Sequence, residues 1–426
     1  MKKGIVGLLV TLMLMSVPLM VVAEDVELRI AWWGSQNRHE RTIKVIEMFE
    51  EQYPNIKVVY EPSGWGDHWT KLATQIAGGN PPDLIQHYRG GLAEWVDKEQ
   101  LLPLDQFVED GTIDTTNISD GAIEGGRFGD KLYGINLGTN SQCFILDADA
   151  FKKAEIHLPP QTWTWKDFEE LVMQLHGKLG IFGMGYSLVD DSQLTLNAYL
   201  IGHGENIYDA TGTKLSYSDE RLLDYLNMVM RLQKSGAMPA MAEEVERRGQ
   251  GVESTEIVPG KAAMVYMWSN QVVAVQSAAG EDRNLVLTHV PRPEGGQASN
   301  YIKPSMLFTI SSASKHPKEA AQFIDFFTNS VEANKILLGE RGVPISSVVR
   351  KELAPLLGKA QREMFEFLQR VDGDNSPIPP PNAVNHTDII NNVYFPQFID
   401  PVLYGQISPE DGVKMFREMA EEILSE

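Results

Sequence analysis

Tryptophans stand at the ends of predicted strands and in the loops that follow them. Trp32 and Trp33 end a strand-like segment, 27–33, and Trp65 and Trp69 lie in or near the loop after a second one, 56–60. A site that holds a sugar needs flat aromatic faces for its C–H surfaces and planar polar groups for its hydroxyls. Open α/β sheets bind ligands at the carboxyl ends of their strands, so these positions predict a stacking site for a polyhydroxylated ring.

The same tryptophans have structural explanations that stay open at this point. Adjacent strand residues point to opposite faces, so at most one of Trp32 and Trp33 is expected in a cleft and the other in the core. Trp65 and Trp69 would alternatively form a hydrophobic staple on the helix that follows them.

Strand-like and helical segments alternate along the chain. Helical spacing of apolar residues predicts helices that end at Pro54 and that cover about 68–77, 165–175 and 219–234, with later ones starting near Pro317 and after Ser408. Strand-like segments lie at 27–33, 56–60, 83–85, 143–146 and 306–310. The alternation predicts βαβ units and a largely parallel sheet with helices on both faces. Trp163 and Trp165 are expected to pack around a helix start.

The N-terminus has the pattern of a secretory signal peptide, 1–23. Lys2 and Lys3 precede an apolar run, 5–22, and Ala23 supplies a small residue at the cleavage position. The sequence has no cysteine there to carry a lipid anchor. We therefore expect cleavage near Ala23 and a periplasmic protein that is not inserted in the membrane.

The net charge and the cysteine count exclude several classes. The chain carries 37 Lys and Arg against 58 Asp and Glu, a net charge of -21. Such a field repels nucleic-acid phosphates and anionic lipid, so neither is expected as a ligand. Cys143 is the only cysteine, and its apolar neighbours favour a buried structural thiol. Phosphate-loop, dinucleotide-loop, zinc-protease, EF-hand and hydrolase-elbow motifs are each incomplete, so we predict no cofactor, no metal and no catalytic residue.

Six sequence patches occur in an order and spacing typical of one protein family. They are 49–58 (FEEQYPNIKV), 77–85 (AGGNPPDLI), 131–135 (KLYGI), 162–168 (TWTWKDF), 260–264 (GKAAM) and 314–321 (SKHPKEAA). Over essentially the whole mature chain the sequence resembles the family 1 extracellular solute-binding proteins, the group that includes maltose-binding protein.

The resemblance implies an α/β, two-lobed periplasmic-binding-protein fold of the type II-like kind. Each lobe would be a mainly parallel sheet flanked by helices, and a hinge that the chain crosses more than once would join them. When the family's hinge crossings are transferred to this sequence, they fall near 138–141, 284–288 and 328–331. The first lobe would then be 24–138 plus 286–328, and the second 139–285 plus 329–426.

The resemblance also indicates which residues contact the ligand. Trp268 follows the patch 260–264, where the family often has a stacking aromatic, although core packing is its alternative. Asn270 beside it would reach hydroxyls. Further candidates, some of which would otherwise be plain solvated residues, are Asn37, Gln86, His87, Tyr88, Asn140, Gln142, Tyr301, Ser305, Arg341 and Tyr394.

The implied function is capture of a carbohydrate in the cleft between the lobes and its delivery to the membrane subunits of an ABC importer, without chemistry on the ligand. Open alternatives are a non-sugar solute such as a peptide or polyamine, a sensor as the partner, and an exported glycosidase. Arg38, Arg41, Arg89 and Arg341 would make an anionic sugar feasible.

Overall fold

The computed structural model of the chain describes residues 25–186, 188–189, 194–380 and 382–425. The predicted signal peptide, 1–23, lies outside these residues. None of the helices within the described ranges is both long enough and apolar enough to cross a bilayer.

The strands in chain order are β1 Val26–Trp33, β2 Ile56–Ser63, β3 Leu84–His87, β4 Arg127–Phe128, β5 Lys131–Leu132, β6 Gly134–Asn136, β7 Thr139–Asn140, β8 Gln142–Asp147, β9 Phe182–Met184, β10 Ala262–Trp268, β11 Leu285–Thr288, β12 Lys303–Pro304 and β13 Leu307–Ile310.

The α-helices in chain order are α1 Gln36–Gln52, α2 Trp65–Ala77, α3 Leu92–Asp97, α4 Asp105–Glu109, α5 Asp120–Glu124, α6 Ala148–Ala154, α7 Trp165–Leu179, α8 Leu194–Gly202, α9 Asp219–Lys234, α10 Met241–Arg247, α11 Val272–Ala279, α12 Pro317–Asn329, α13 Val331–Leu337, α14 Ser347–Leu353, α15 Lys359–Asp372, α16 His386–Asp388, α17 Asp400–Leu403 and α18 Pro409–Leu424. A π-helix, Ile389–Ile399, joins α16 to α17.

Helix starts follow their sequence signals. The Thr164 hydroxyl accepts a hydrogen bond from the Asp167 N–H at 3.1 Å, and the Asp167 carboxylate accepts one from the Thr164 N–H at 2.8 Å. This capping box fixes the start of α7. Ser408 caps α18 in the same way, by accepting from the Asp411 N–H at 3.1 Å, and Pro409 occupies the first helical position. Both predicted starts are confirmed.

Two sheets organise the chain, which confirms the predicted two-lobed α/β fold. The first has the strand order β2-β1-β3-β13-β6 and the second has the order β11-β8-β10-β9. In each sheet one strand runs against the others: β13 is antiparallel to β3 and β6, and β8 is antiparallel to β10 and β11. The prediction of mainly parallel sheets therefore needs correction at β8 and β13. These strands enter their sheets from the hinge, which lies at the carboxyl ends of the other strands.

Each sheet has its own apolar core. Along β8, Phe144 and Leu146 belong to one buried cluster while Cys143 and Ile145 belong to another. This alternation shows that the second sheet is covered on both faces. Burial raises the pKa of the Cys143 thiol, which confirms the prediction of an inert buried cysteine.

Three chain segments lie side by side at the hinge between the lobes. β7 pairs antiparallel with β12, so that Asn140 is opposite Lys303. The Thr139 N–H donates to the Val343 carbonyl at 2.8 Å, and the Val343 N–H donates back to the Thr139 carbonyl at 2.9 Å. Gly342 has a φ of 111°, and a Cβ there would stand 2.6 Å from the Thr139 oxygen. The close approach of these segments therefore requires glycine.

Strand pairing moves two of the predicted lobe boundaries. Leu285–Thr288 pairs with β8 in the second sheet, so the chain returns to the first lobe at β12 rather than at 286. α13 buries Ala333 and Leu337 in the core of the first sheet, so the last crossing comes after 329. The boundaries came from the resemblance, and pairing between distant segments leaves no local periodicity in the sequence. The rest of the division stays a prediction.

Candidate functional site

The strands of the first sheet end in buried polar atoms that have no hydrogen-bond partner among the described residues. Ser63 ends β2, His87 ends β3, Asn136 ends β6, and Ser305 precedes β13, which begins at this edge. The unpaired atoms are Ser63 Oγ, His87 Nε2, Asn136 Nδ2 and Ser305 Oγ. Buried polar atoms are normally hydrogen-bonded. Four exceptions along one sheet edge, called the carboxyl edge below, mark it as a place for the polar groups of a ligand.

An aromatic cluster covers one end of the carboxyl edge. Trp69 is central, with ring centroids 5.4 Å from Trp65, 5.6 Å from Trp33 and 5.1 Å from His87. Trp65 forms the outer rim of the cluster because 47% of it is exposed. The members of the aromatic cluster are Trp33, Trp65, His68, Trp69, His87, Tyr88 and Trp95.

The local sequence explains why these rings meet. α2 begins at Trp65, and residues four apart lie on one side of a helix, so Trp65 and Trp69 face the same way. Trp33 ends β1 and His87 ends the neighbouring strand β3, which brings both to the same edge. The cluster is therefore built from a helix start and two strand ends.

The His87 ring is a neutral hydrogen-bond acceptor. Its Nδ1 lies 2.9 Å from the Tyr88 carbonyl oxygen, which can only accept, so Nδ1 carries the proton and Nε2 the lone pair. Burial lowers the pKa of His87 to about 4, which keeps the ring neutral near pH 7. The unpaired Nε2 therefore suits a hydroxyl donor on a ligand.

The second lobe and the hinge bring Trp268 and Lys303 together. Trp268 ends β10 opposite Gln142, and the Lys303 Nζ lies 4.1 Å from the centre of its ring. Tyr301 meets the same ring edge-on, at 6.2 Å between centroids. Burial, together with the smaller effect of the neighbouring Arg89 charge, lowers the pKa of Lys303 to about 7. One face of Trp268 is thus taken by an ammonium group.

A buried polar network ties the first lobe to the hinge. The Arg38 guanidinium donates to the Glu340 carboxylate at 2.6 Å. Arg341 donates from Nε to Gln86 Oε1 at 2.8 Å and from Nη2 to Thr42 Oγ1 at 2.9 Å. Burial alone would raise the pKa of Glu340, but the charges of Arg38 and Arg341 outweigh it and hold that pKa below its ordinary value. Glu340 is therefore an ionised counter-charge for two arginines.

The network continues into the second lobe. Asn270 Nδ2 donates to the Glu340 carbonyl at 3.5 Å, and Asn140 Nδ2 donates to Asn270 Oδ1 at 2.7 Å. Asn300 Nδ2 donates to the Ser141 hydroxyl at 3.0 Å and to the Gln142 carbonyl at 2.7 Å. Most of these groups hold the hinge together rather than facing an opening.

The lobes also touch on the side of the cleft away from the hinge. The Thr387 hydroxyl of the second lobe donates to the Glu94 carboxylate of the first lobe at 3.3 Å. A Cβ at Gly90 would meet the Asn382 side-chain nitrogen at 3.0 Å. The two lobes are therefore in contact outside the hinge as well.

Comparison with known proteins identifies the family. Residues 44–352 match a family model described as bacterial extracellular solute-binding protein. The chain belongs to this family. It is thus a solute-binding protein, as the six sequence patches indicated.

Solved structures and curated sequences agree with this membership. The chain is similar to a family 1 extracellular solute-binding protein from Alicyclobacillus acidocaldarius, with 30% identity, a TM-score of 0.66, and 95% of this chain and 99% of the other covered. It is also similar to a periplasmic oligogalacturonide-binding protein from Yersinia enterocolitica in complex with saturated digalacturonic acid, with 25% identity, a TM-score of 0.81, and 94% and 98% covered. An uncharacterised lipoprotein from Streptomyces antibioticus is 24% identical over 321 residues, which are 74% of this chain and 69% of that protein.

The structure brings several predicted binding residues of this solute-binding protein to one place. Trp33, Trp65, Trp69, His87 and Tyr88 form the aromatic cluster, and Ser305 lies on the carboxyl edge. Trp268 and Tyr301 lie together beside Lys303. Gln86, Asn140, Asn270 and Arg341 belong to the hinge network, in which Asn140 Oδ1 is a further unpaired atom.

Three predicted binding residues lie elsewhere. Trp32 is fully buried and its Nε1 donates to His39 Nδ1 at 3.1 Å, so it is the core member of the Trp32–Trp33 pair. Tyr394 is 1% exposed and donates to the Val189 carbonyl at 3.0 Å, because the π-helix turns it into the second-lobe core. Asn37 accepts from Arg41 at 2.8 Å, which holds that arginine against the end of α13. The predictions for Trp32 and Tyr394 are corrected accordingly, and that for Asn37 stays a prediction.

Sequence reasoning missed Lys303, Asn136, Ser63 and Trp95. Asn136 was detectable in principle, because it is a polar residue directly after Ile135 of a strand. Ser63 was less apparent, because Glu61 and Pro62 separate it from the apolar part of its strand. Lys303 had no such signal, since β12 is only two residues long. Trp163 and Trp165 are buried around the start of α7, which confirms their predicted packing role.

An open groove lies away from the carboxyl edge. It has a volume of about 750 Å³ and runs between α7 and α9, where Trp165 and Arg231 line it. No strand residue lines this groove. Unpaired polar atoms and stacking rings favour the carboxyl edge over this groove as the binding site.

Proposed function

We propose that this solute-binding protein captures a carbohydrate between its two lobes and delivers it, chemically unchanged, to an ABC importer. The observation that carries the proposal is the row of unpaired polar atoms on the carboxyl edge beside the aromatic cluster. Rings and hydrogen-bonding groups side by side are what a sugar requires, since it has apolar faces and a belt of hydroxyls.

The chemical mix of the unpaired atoms matches hydroxyl groups. His87 Nε2 accepts, Asn136 Nδ2 donates, and the Ser63 and Ser305 hydroxyls do either. Each unsatisfied buried polar atom costs about 1–3 kcal/mol, which a ligand hydroxyl would recover. A purely apolar ligand would leave all four unsatisfied, so the row favours a polyhydroxylated one.

Capture would work by closure of the hinge. A ligand held between the carboxyl edge and the second lobe makes its full set of contacts only when the lobes meet, so its binding shifts the population toward the closed state. The closed state would then be recognised by membrane subunits of the importer. Family membership and the digalacturonic acid bound by the Yersinia relative support this proposal. The predicted export signal supports a periplasmic location.

The test is a titration of the exported protein with a panel of neutral and acidic oligosaccharides. Tryptophan fluorescence and melting temperature would report binding, and chromatography of the released ligand would report whether it is intact. We expect a saturable shift with one class of glycan and no turnover. Reconstitution with the importer subunits should make their ATP hydrolysis depend on that glycan.

A matched pair of variants locates the site. Ser305→Ala removes an unpaired hydroxyl on the carboxyl edge, and Thr328→Val removes an unpaired buried hydroxyl in α12. Only Ser305→Ala should weaken binding, by roughly 3- to 10-fold for one lost hydrogen bond. Shifts with peptides or polyamines and none with any saccharide would refute the carbohydrate proposal.

A further inference from the structure

Lys303 occupies a position that no carboxylate compensates among the described residues. It lies on the hinge strand β12, opposite Asn140, and its ammonium group stands over the Trp268 ring at 4.1 Å. The π-face of tryptophan attracts a cation but carries no net charge. Within the part of the chain that the structure describes, no ion pair involves Lys303.

Arg89 adds a second positive charge to the same place. It follows the aromatic cluster at Tyr88, and its charge acts on both Lys303 and Tyr301. Its Nε is buried and has no hydrogen-bond partner among the described residues. The acid whose charge acts on it, Glu124, has a side chain that is 71% exposed and paired with Arg127 at 3.5 Å. Arg89 therefore lacks a close counter-charge among the residues that the structure describes.

Such a pair is unusual in this molecule. The protein has an excess of acids, yet neither Lys303 nor Arg89, whose charges act on each other, forms an ion pair with a described residue. Buried charges are almost always paired, because desolvation disfavours the charged form. An anion that arrives with the ligand is the simplest group to complete the site.

We propose, on the basis of the carbohydrate function above, that the ligand is an acidic sugar whose carboxylate binds between Lys303 and Arg89. The uronate ring would lie between the carboxyl edge and Trp268. Trp268 then positions the Lys303 ammonium in addition to contacting the ligand. Asn136 and Ser305 would bind the hydroxyls of the same or the neighbouring ring.

The test compares two disaccharides that differ only in charge. α-1,4-Digalacturonate and its carboxyl-reduced counterpart, α-1,4-digalactose, would be titrated by calorimetry at about pH 6, where the Lys303 ammonium form prevails. A charge-assisted hydrogen bond corresponds to roughly a 10- to 100-fold change in affinity. The wild-type protein should therefore prefer digalacturonate by at least about 10-fold.

Substitutions at Lys303 assign the preference to that residue. Lys303→Met should reduce the affinity for digalacturonate by about 10-fold or more and leave that for digalactose within about 3-fold. Lys303→Arg keeps the charge and should keep the preference. Lys166→Met removes an exposed lysine of α7 and should change neither affinity. The melting temperature of each variant would show that it is folded.

Two results would overturn the inference, and they are distinguishable. Equal affinity for the two disaccharides, or a preference that Lys303→Met leaves unchanged, would refute the acidic sugar while keeping carbohydrate binding. Failure of both disaccharides and of the neutral panel, with peptides or polyamines binding instead, would refute the carbohydrate function and the inference with it.

Discussion

The molecule contains two groups of cations, one buried and one half-buried, that differ in their counter-charge. In the hinge network, Arg38 and Arg341 share the ionised carboxylate of Glu340, at 2.6 Å and 3.8 Å respectively. In the cleft, Lys303 and Arg89 form no ion pair with any carboxylate of the described residues. The first group contains its own counter-charge, although Arg341 Nη1 has no hydrogen-bond partner among the described residues. The second group gains a counter-charge only if something else supplies an anion.

This difference separates a structural role from a binding role. Guanidinium groups that are paired and hydrogen-bonded fix the position of the chain around them, as Arg341 does for Gln86 and Thr42. Unpaired cations cost the free protein stability, and that cost is recovered when an anionic ligand binds. Removal of charge should therefore have opposite effects on stability in the two places.

The largest effect is expected at Glu340. Glu340→Gln leaves Arg38 and Arg341 buried without their counter-charge, which should lower the free energy of unfolding by about 3–5 kcal/mol in urea unfolding. Glu332→Gln, which breaks the exposed pair with Lys335, is the control and should cost less than about 0.5 kcal/mol. A loss below about 1 kcal/mol at Glu340 would show that the hinge network is not the structural element inferred here.

A smaller effect of opposite sign is expected at Lys303. Lys303→Met replaces a cation that burial destabilises, so it should raise the free energy of unfolding of the ligand-free protein by roughly 1–2 kcal/mol at about pH 6. Chemical unfolding of both proteins at several pH values would measure it.

The pH dependence of that difference follows from the lowered pKa. The pKa of Lys303 is about 7 in the folded protein against 10.5 for an ordinary lysine. Between those values the unfolded chain binds more protons, so the stability of the wild-type protein rises with pH. The advantage of Lys303→Met should therefore shrink by up to about 1 kcal/mol per pH unit above pH 7. A difference that stays constant up to about pH 9 would contradict an uncompensated Lys303.

The smallest effect is expected at the rim of the aromatic cluster. Trp65→Ala should weaken saccharide binding by roughly 2- to 10-fold through lost stacking, and it should change the free energy of unfolding by less than about 1 kcal/mol because Trp65 is exposed. Tyr404→Ala, with a similar exposure of 49%, is the matched control in the second lobe. Equal saccharide affinities for the two variants would show that Trp65 is not part of the binding site.

Most of the aromatic part of the site was predictable from the sequence. Trp33 ends a strand as predicted, and the strand near 85 and the helix after Trp65 are local features that periodicity reveals. Their bounds differ from the prediction, since β3 extends to His87 and α2 begins at Trp65 rather than near 68. The Lys303 site was not predictable, because Trp268 and Arg89 come to it from distant parts of the chain. The burial of Tyr394 in the core was also not predictable from the sequence, since the π-helix that turns it inward has no simple periodicity.

In the fold, too, local features were predictable from the sequence and features that depend on distant segments were not. Helix starts at Thr164 and Ser408 depend on neighbouring residues and were predicted correctly. The reversed strands β8 and β13 depend on where the chain crosses between lobes, which is a property of the whole topology. For the same reason the lobe boundaries at 286 and 329 were placed too early.

A crystal structure of the complex with digalacturonate tests the central claim most directly. The account predicts the sugar between the carboxyl edge and Trp268, with a carboxylate oxygen about 3 Å from the Lys303 Nζ. A sugar bound instead in the groove between α7 and α9, or one in the cleft with its carboxylates turned away from Lys303 and Arg89, would contradict it.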